Sequence, residues 1–348
     1  MKQFICSLFL LISFSIVAFS QSDKSDRLLL IWKDSKQGFI DTKGKFIIEP
    51  KFYIYRDFSE QLALVKTDYA TNWFSSLSDT PNPFCDWKYI DKKGNVIINL
   101  EFCSDFVGSF QNGRAIVRTE SGSGYIDKSG KFVIEPKFDT ISDFKEGFAS
   151  VGFNGKYGFI DTDGKFAIEP KFDFAGFFNE GLAYIEIDDK WGFINKKGEI
   201  VITPQFDEVH PFQYGFAGVE IDNKWGFIDI SGKIIVKPQF DAVGFSDSEL
   251  ISVAIGEKWG FINRKGKLVI PAKFEMADRF SEGLANVQIG EKWGFINENG
   301  KIILKPIWDE ADNFYQGIAS VYIGEYESKE RRMGYINKKG EYIWKPTR

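Results

Sequence analysis

A period of 34 residues governs this chain. A Gly that precedes an aromatic–Ile pair stands at positions 38, 124, 158, 192, 226, 260, 294 and 334, and Lys88 takes its place once. The steps between these nine positions are 50, 36, 34, 34, 34, 34, 34 and 40. Such regularity marks a repeat architecture, in which each unit is one supersecondary element that buries its apolar face only against its neighbours. Nine units run from Arg27 to Arg348, and no segment remains for a separate domain.

Each unit reads as β structure. Leu284-Ala285-Asn286-Val287-Gln288-Ile289 alternates apolar and polar residues, the period of a half-buried strand. Gly290-Glu291-Lys292 turns the chain, and Trp293 to Asn297 forms a second strand. Asn297-Glu298-Asn299-Gly300 then predicts a hairpin with a bulge, because its last residue must take positive φ. Lys301 to Leu304 is a third strand, ended by Pro306, which removes a ladder donor. Trp308-Asp309 and Phe314 mark a connector to the next unit. The expected fold is all-β, a tandem array of about nine three-stranded antiparallel meanders. An open, curved or superhelical solenoid is expected, because nine blades is high for a propeller and no terminal strand is seen to be shared. A closed, propeller-like ring is the alternative.

Lys190-Trp191-Gly192-Phe193-Ile194-Asn195, the following Lys-Lys-Gly, the Pro-x-Phe-Asp segment and the Phe-x-Glu-Gly-x-Ala segment resemble the WG repeat (KWG repeat) family across nearly the whole chain after residue 20. The resemblance implies a bacterial, often exported repeat protein without enzymatic activity and without one shared ligand. The outer units depart from the pattern: Gln37, Ser123, Tyr157 and Met333 hold the Trp position. The connector Phe245-Ser246-Asp247-Ser248-Glu249 loses its Gly.

The recurrent residues need packing or turn roles before functional ones. Trp191, Trp225, Trp259 and Trp293, each followed by Gly192, Gly226, Gly260 or Gly294, are expected to pack unit on unit rather than present faces to sugar rings. The Phe row from Phe138 to Phe274 has the same expectation. Asp139, Asp173, Asp207, Asp241 and Asp309 recur once per unit, as structural turn residues do. Asp161-Thr162-Asp163-Gly164 resembles part of a calcium loop, but its equivalents lack the second acid, so no metal site is expected. His210, the one histidine, has no Cys near it, and nucleophilic chemistry lacks its base. No catalytic, cofactor-binding or metal-binding residue is assigned.

Three features lie outside the repeat. Residues 1–20 read as a secretory signal: Lys2, an apolar run, then Ala18-Phe19-Ser20 before Gln21, leaving 21–348 as the repeat domain. No later segment is apolar and long enough to cross a membrane. Cys85 and Cys103 flank one hairpin and are either a disulfide or two reduced thiols. Insertions near 66–85, with Tyr69, Trp73 and Phe74, and near 322–332 are either contact loops or surface excursions.

The chain carries 44 basic and 49 acidic residues, net −5, which argues against a nucleic-acid partner. The expected function is an exported scaffold, periplasmic, surface-bound or secreted, binding a protein or a cell-envelope polymer. The alternatives are a glycan-acting hydrolase with two carboxylates not shared by all units, and a structural spacer.

Overall fold

The computed structural model describes residues 27–33, 36–66, 86–245, 248–325 and 331–347. The expected signal segment, Tyr69, Trp73, Phe74 and Cys85 lie outside the described residues.

Seven four-stranded antiparallel sheets follow a six-stranded one in chain order. The six-stranded sheet is two modules joined by one long strand, Phe46–Ser59. Its first part pairs with Lys36–Asp41 and its second with Leu62–Lys66. The described residues therefore form nine modules. In the sixth, for example, the strands are Glu208–Val209, Phe216–Ile221, Lys224–Asp229 and Ile234–Phe240, each paired with the next. These are the inner, second, third and outer strands. The expected three-stranded unit is thus corrected to four in eight of the modules. The added inner strand is as short as two residues, too short for a periodic signal. The first module shows only Leu28–Lys33, Lys36–Asp41 and its outer strand among the described residues.

Charge interactions that skip a module, Arg56 with Asp143 and Arg27 with Glu282, join residues on the inner strands or the connectors that follow them. The modules therefore converge at that edge, and the outer strands form the rim. Strand direction alternates, so the connectors after the inner strands and the hairpins after the third strands lie on one face of the array.

The core is a series of interfaces between modules. Phe193, Ile202 and Phe206 of the fifth module pack against Val209, Phe212, Ala217, Val219 and Ile228 of the sixth. Each of the larger of these side chains contributes roughly 1.5–3 kcal/mol on burial, and none of it is available to a lone sheet. The second and third strands lie between two neighbours, so both their faces are covered. Leu284-Ala285-Asn286-Val287 is buried at all four positions, and alternation there does not mean exposure. Asn286 donates Nδ2–H to the Ala311 carbonyl of the next module at 2.7 Å, while its Oδ1 is buried without a hydrogen-bond partner.

The expectation of an open array is corrected by the contacts between its ends. Leu29, Ile31 and Ile40 of the first module share one buried cluster with Ile318 and Tyr335 of the ninth. Phe46 meets the Trp344 ring edge-on at 5.4 Å, and Arg27 donates to the Tyr315 carbonyl. Each hairpin glycine sits against the outer strand of the preceding module; a Cβ on Gly198 would lie 3.0 Å from Ile168. Gly44 of the first module stands in the same relation to the ninth, 2.8 Å from the Ile343 carbonyl oxygen. The array closes into a propeller-like ring. Closure covers two apolar module faces that an open array leaves in water.

Candidate interaction surface

The repeated residues hold the ring together. Trp191 stands in a cross-strand row with Phe174, Glu186 and Phe206, on the face turned to the sixth module. Trp225 is buried in the next interface, and Trp259 and Trp293 are half-buried against the two after that. The glycine after each Trp answers a bulge: Trp191 pairs with Phe206 but Phe193 with Ile202, so three outer-strand residues oppose Gly192 alone. A Cβ there would lie 2.4 Å from the Ile202 oxygen and 2.6 Å from the Pro204 nitrogen. Lys88, which replaces this Gly, pairs directly with Asn99, and Leu100 stands where the bulge proline would be. The glycine, the bulge and the proline are lost together.

The Asp row is equally structural. Asp207 lies between the outer strand of one module and the inner strand of the next. Lys190 Nζ donates to its Oδ1 at 2.6 Å and the Asp222 N–H to its Oδ2 at 2.8 Å. Asp173, Asp241 and Asp309 repeat this clasp, each accepting from a Lys of one module and from the backbone of the next. Hydrogen bonding to Lys190 holds the Asp207 carboxyl below the usual carboxylate range.

Chemistry differs from module to module at the inner edge, one and two residues before the connector Phe. These places hold Arg56 and Asp57 in the second module, Ser142 and Asp143 in the fourth, and Gly176 and Phe177 in the fifth. His210 and Pro211, Asp278 and Arg279, and Asp312 and Asn313 occupy them in the sixth, eighth and ninth. Around the fifth to seventh modules the edge is aromatic. His210 stacks on Phe245 at 4.3 Å and packs on Trp225 at 4.5 Å, and Phe177 meets Tyr184 edge-on at 5.7 Å. Burial lowers the His210 pKa to about 4 and pushes the Tyr184 hydroxyl up to about 12. Around the eighth and ninth modules the edge is charged. Asn313 Nδ2 donates to Asp278 Oδ2 at 2.7 Å, and the Tyr322 hydroxyl donates to Asp312 Oδ2 at 3.0 Å. Arg331 pairs with Glu310 at 2.5 Å and lies 4.2 Å from the centre of the Tyr322 ring. Asp57 and Asp312 touch solvent but are crowded on the concave edge, and desolvation pushes both carboxyls up, as it does Asp143.

A family model described as the WG containing repeat matches eight segments: 38–69, 87–121, 124–157, 157–191, 191–225, 225–259, 259–293 and 293–326. The chain belongs to the WG-containing repeat family. No curated protein matches this WG-repeat chain. Among solved structures, a eukaryotic initiation factor is 11% identical, covers 90% of this chain and 93% of its own, and has a TM-score of 0.64. Saccharomyces cerevisiae Sqt1 is 10% identical over 80% and 91% of the two chains, with a TM-score of 0.42. At such identities the likeness concerns the fold alone.

In the WG-repeat ring the consensus residues are committed to interfaces, bulges and clasps, and the inner edge is left with distinct chemistry. That edge combines aromatic planes on one side with carboxylates, guanidinium groups and an amide on the other. It can stack on a ring or an apolar side chain while hydrogen-bonding polar groups. Reading only the consensus columns misses these residues; the signal that finds them is the columns where the units disagree. Among the described residues no three His, Cys, Asp or Glu side chains gather as a metal-ligand set. Cys103 is disulfide-bonded. Its proposed partner, Cys85, lies outside the described residues.

Proposed function

We propose that this chain is an exported, non-enzymatic scaffold that binds a protein or a cell-envelope polymer along the inner edge of its ring. The observation that carries the reading is the division of labour within the repeat. The recurrent Trp, Phe and Asp side chains are used in holding modules together, and chemistry that differs from unit to unit converges at the inner edge. Among the described residues no helix is long and apolar enough to cross a membrane.

The test is capture from envelope extract by the immobilised chain starting at Gln21, with Phe177→Ala and Asp278→Ala compared against an outer-strand variant, Lys273→Ala. A partner retained by the parent and by Lys273→Ala, and lost from the inner-edge variants, supports the reading. A partner held equally by all four defeats it.

One observation favours a second reading. Asp278 and Asp312 occupy the same place in adjacent modules, are absent from that place in the other units, and interact electrostatically, with Asp312 pushed up by burial. Two such carboxyls are what a glycan hydrolase needs, one protonated and one ionised. Turnover on a glycan panel, abolished by Asp312→Asn, would establish it; absence of turnover returns the pair to the binding surface.

A further inference from the structure

The charges of this chain are segregated by radius. The nine stretches that run from each third-to-outer hairpin to the end of the outer strand carry 23 of the 44 basic residues but only 12 of the 49 acidic ones. A protein of net −5 therefore wears a positive rim around an acidic remainder. The imbalance is steepest in the seventh module, where residues 263–274 hold Arg264, Lys265, Lys267 and Lys273 and no acid, Arg264 pairing with Glu249 outside the stretch at 3.6 Å. Several hairpin acids, Asp41, Asp127 and Asp229 among them, are turned inward to accept two backbone N–H bonds of their own turn.

The same rim is aliphatic. The two residues that open the outer strand are exposed in module after module: Val96 and Ile97, Ile200 and Val201, Ile234 and Ile235, with Ile200 52% and Ile97 53% accessible. Leu268 with Val269 and Ile302 with Ile303 continue the row. Only the third residue, such as Ile202, turns into an interface. All nine hairpins project from one face, so the exposed pairs and the hairpin lysines form a crown around that face; Lys128, Lys196 and Lys338 of that crown are paired with the connector acids Glu60, Glu146 and Glu282. Scattered apolar residues need no explanation, but paired β-branched residues repeated around a ring beside lysines do.

We propose that this crown seats the ring on a lipid bilayer that carries anionic headgroups. Lysines attracted to headgroup phosphates bring the face down, and the aliphatic pairs enter the boundary between headgroups and acyl chains. A soluble polyanion satisfies the lysines and leaves the aliphatic pairs in water, which is why a bilayer is the better complement. The surface is separate from the inner edge, so the proposal stands or falls independently of the ligand bound there.

The chain from Gln21 is mixed with vesicles of phosphatidylcholine alone, or with about 30% phosphatidylglycerol, and floated on a density gradient. The parent is expected to float with the anionic vesicles only, and to be released progressively as salt is raised. Lys265→Glu with Lys267→Glu should weaken binding at least about tenfold, since each basic residue near such a surface contributes on the order of a fivefold factor. Val201→Ser with Val269→Ser should weaken vesicle binding while leaving retention on polyphosphate resin unchanged. All four positions are exposed, and circular dichroism checks that each variant keeps the fold. Failure of the parent to float overturns the proposal. Flotation untouched by the serine variants also overturns it, and makes the rim a polyanion site.

Discussion

The Tyr335 hydroxyl donates to the Leu30 carbonyl oxygen at 2.7 Å, joining residues 305 apart in sequence. In complete modules the equivalent carbonyl is met by the inner strand: the His210 N–H donates to Gly218 O at 2.9 Å and the Asp312 N–H to Ser320 O at 3.0 Å. The first module has no inner strand among the described residues, and a side chain from the last module fills the vacancy in its ladder. Tyr335→Phe removes that donor and leaves a carbonyl acceptor poorly satisfied, a cost of about 2 kcal/mol. Urea denaturation should show this loss, and hydrogen exchange should quicken in the first and ninth modules before the rest. Exchange that quickens uniformly around the ring would contradict the closure role.

Gly226 is held by the bulge it faces. A Cβ would stand 2.5 Å from the Val236 oxygen and 2.7 Å from the Pro238 nitrogen, both backbone atoms that cannot step aside. Gly226→Ala should cost about 4 kcal/mol or prevent folding. The second module supplies the control, because its outer strand has no bulge at this level. Lys88→Gly there should cost no more than about 1 kcal/mol, the ordinary penalty of glycine in a strand. Equal costs at the two positions in a denaturant titration would refute the coupling of glycine to bulge.

The strands, the hairpins and the packing role of the Trp row were legible because each is written locally. Asn195-Lys196-Lys197-Gly198, for example, closes with the Gly198 N–H on Asn195 O at 2.9 Å, as the order of residues requires. The fourth strand was not legible: Glu208–Val209 has no length over which a period can show. Closure was not legible either, because Leu30 and Tyr335 give no local sign of each other. Asn286 misled in a third way. Its polarity suggested solvent, whereas it faces the next module and bonds to Ala311. The inner edge escaped because repeats draw attention to what recurs, and Asp278, Arg279, Asp312 and His210 do not recur.

Cys103 is expected to be joined to Cys85, the other cysteine within residues 21–348. A loop of this size contributes roughly 3 kcal/mol by restricting the unfolded chain. Peptide mapping without reduction should recover the two cysteines in one linked fragment, and reduction should lower the denaturation midpoint. Two thiols open to alkylation in the folded, unreduced protein would exclude the bond.

His210 supplies a pH signature. Held between Trp225 and Phe245, it has a folded-state pKa depressed by burial from 6.5 to about 4. Below about pH 6.5 the unfolded chain binds a proton that the folded ring refuses. The stabilisation this gives is complete above that value and is lost as pH falls through the window down to about 4. The full effect is at most about 3 kcal/mol. The clasp aspartates, Asp207 among them, act lower: their folded pKa is depressed too, so their contribution goes only as pH falls below the usual carboxylate range. His210→Phe keeps an aromatic ring between Trp225 and Phe245 and removes the titration. Between pH 6.5 and 4.5 the denaturation midpoint of the parent should fall relative to that of His210→Phe; the raised carboxyls Asp57, Asp143 and Asp312 act with the opposite sign in both proteins and cancel in the comparison. A variant that follows the parent throughout would assign the upper window to some other group.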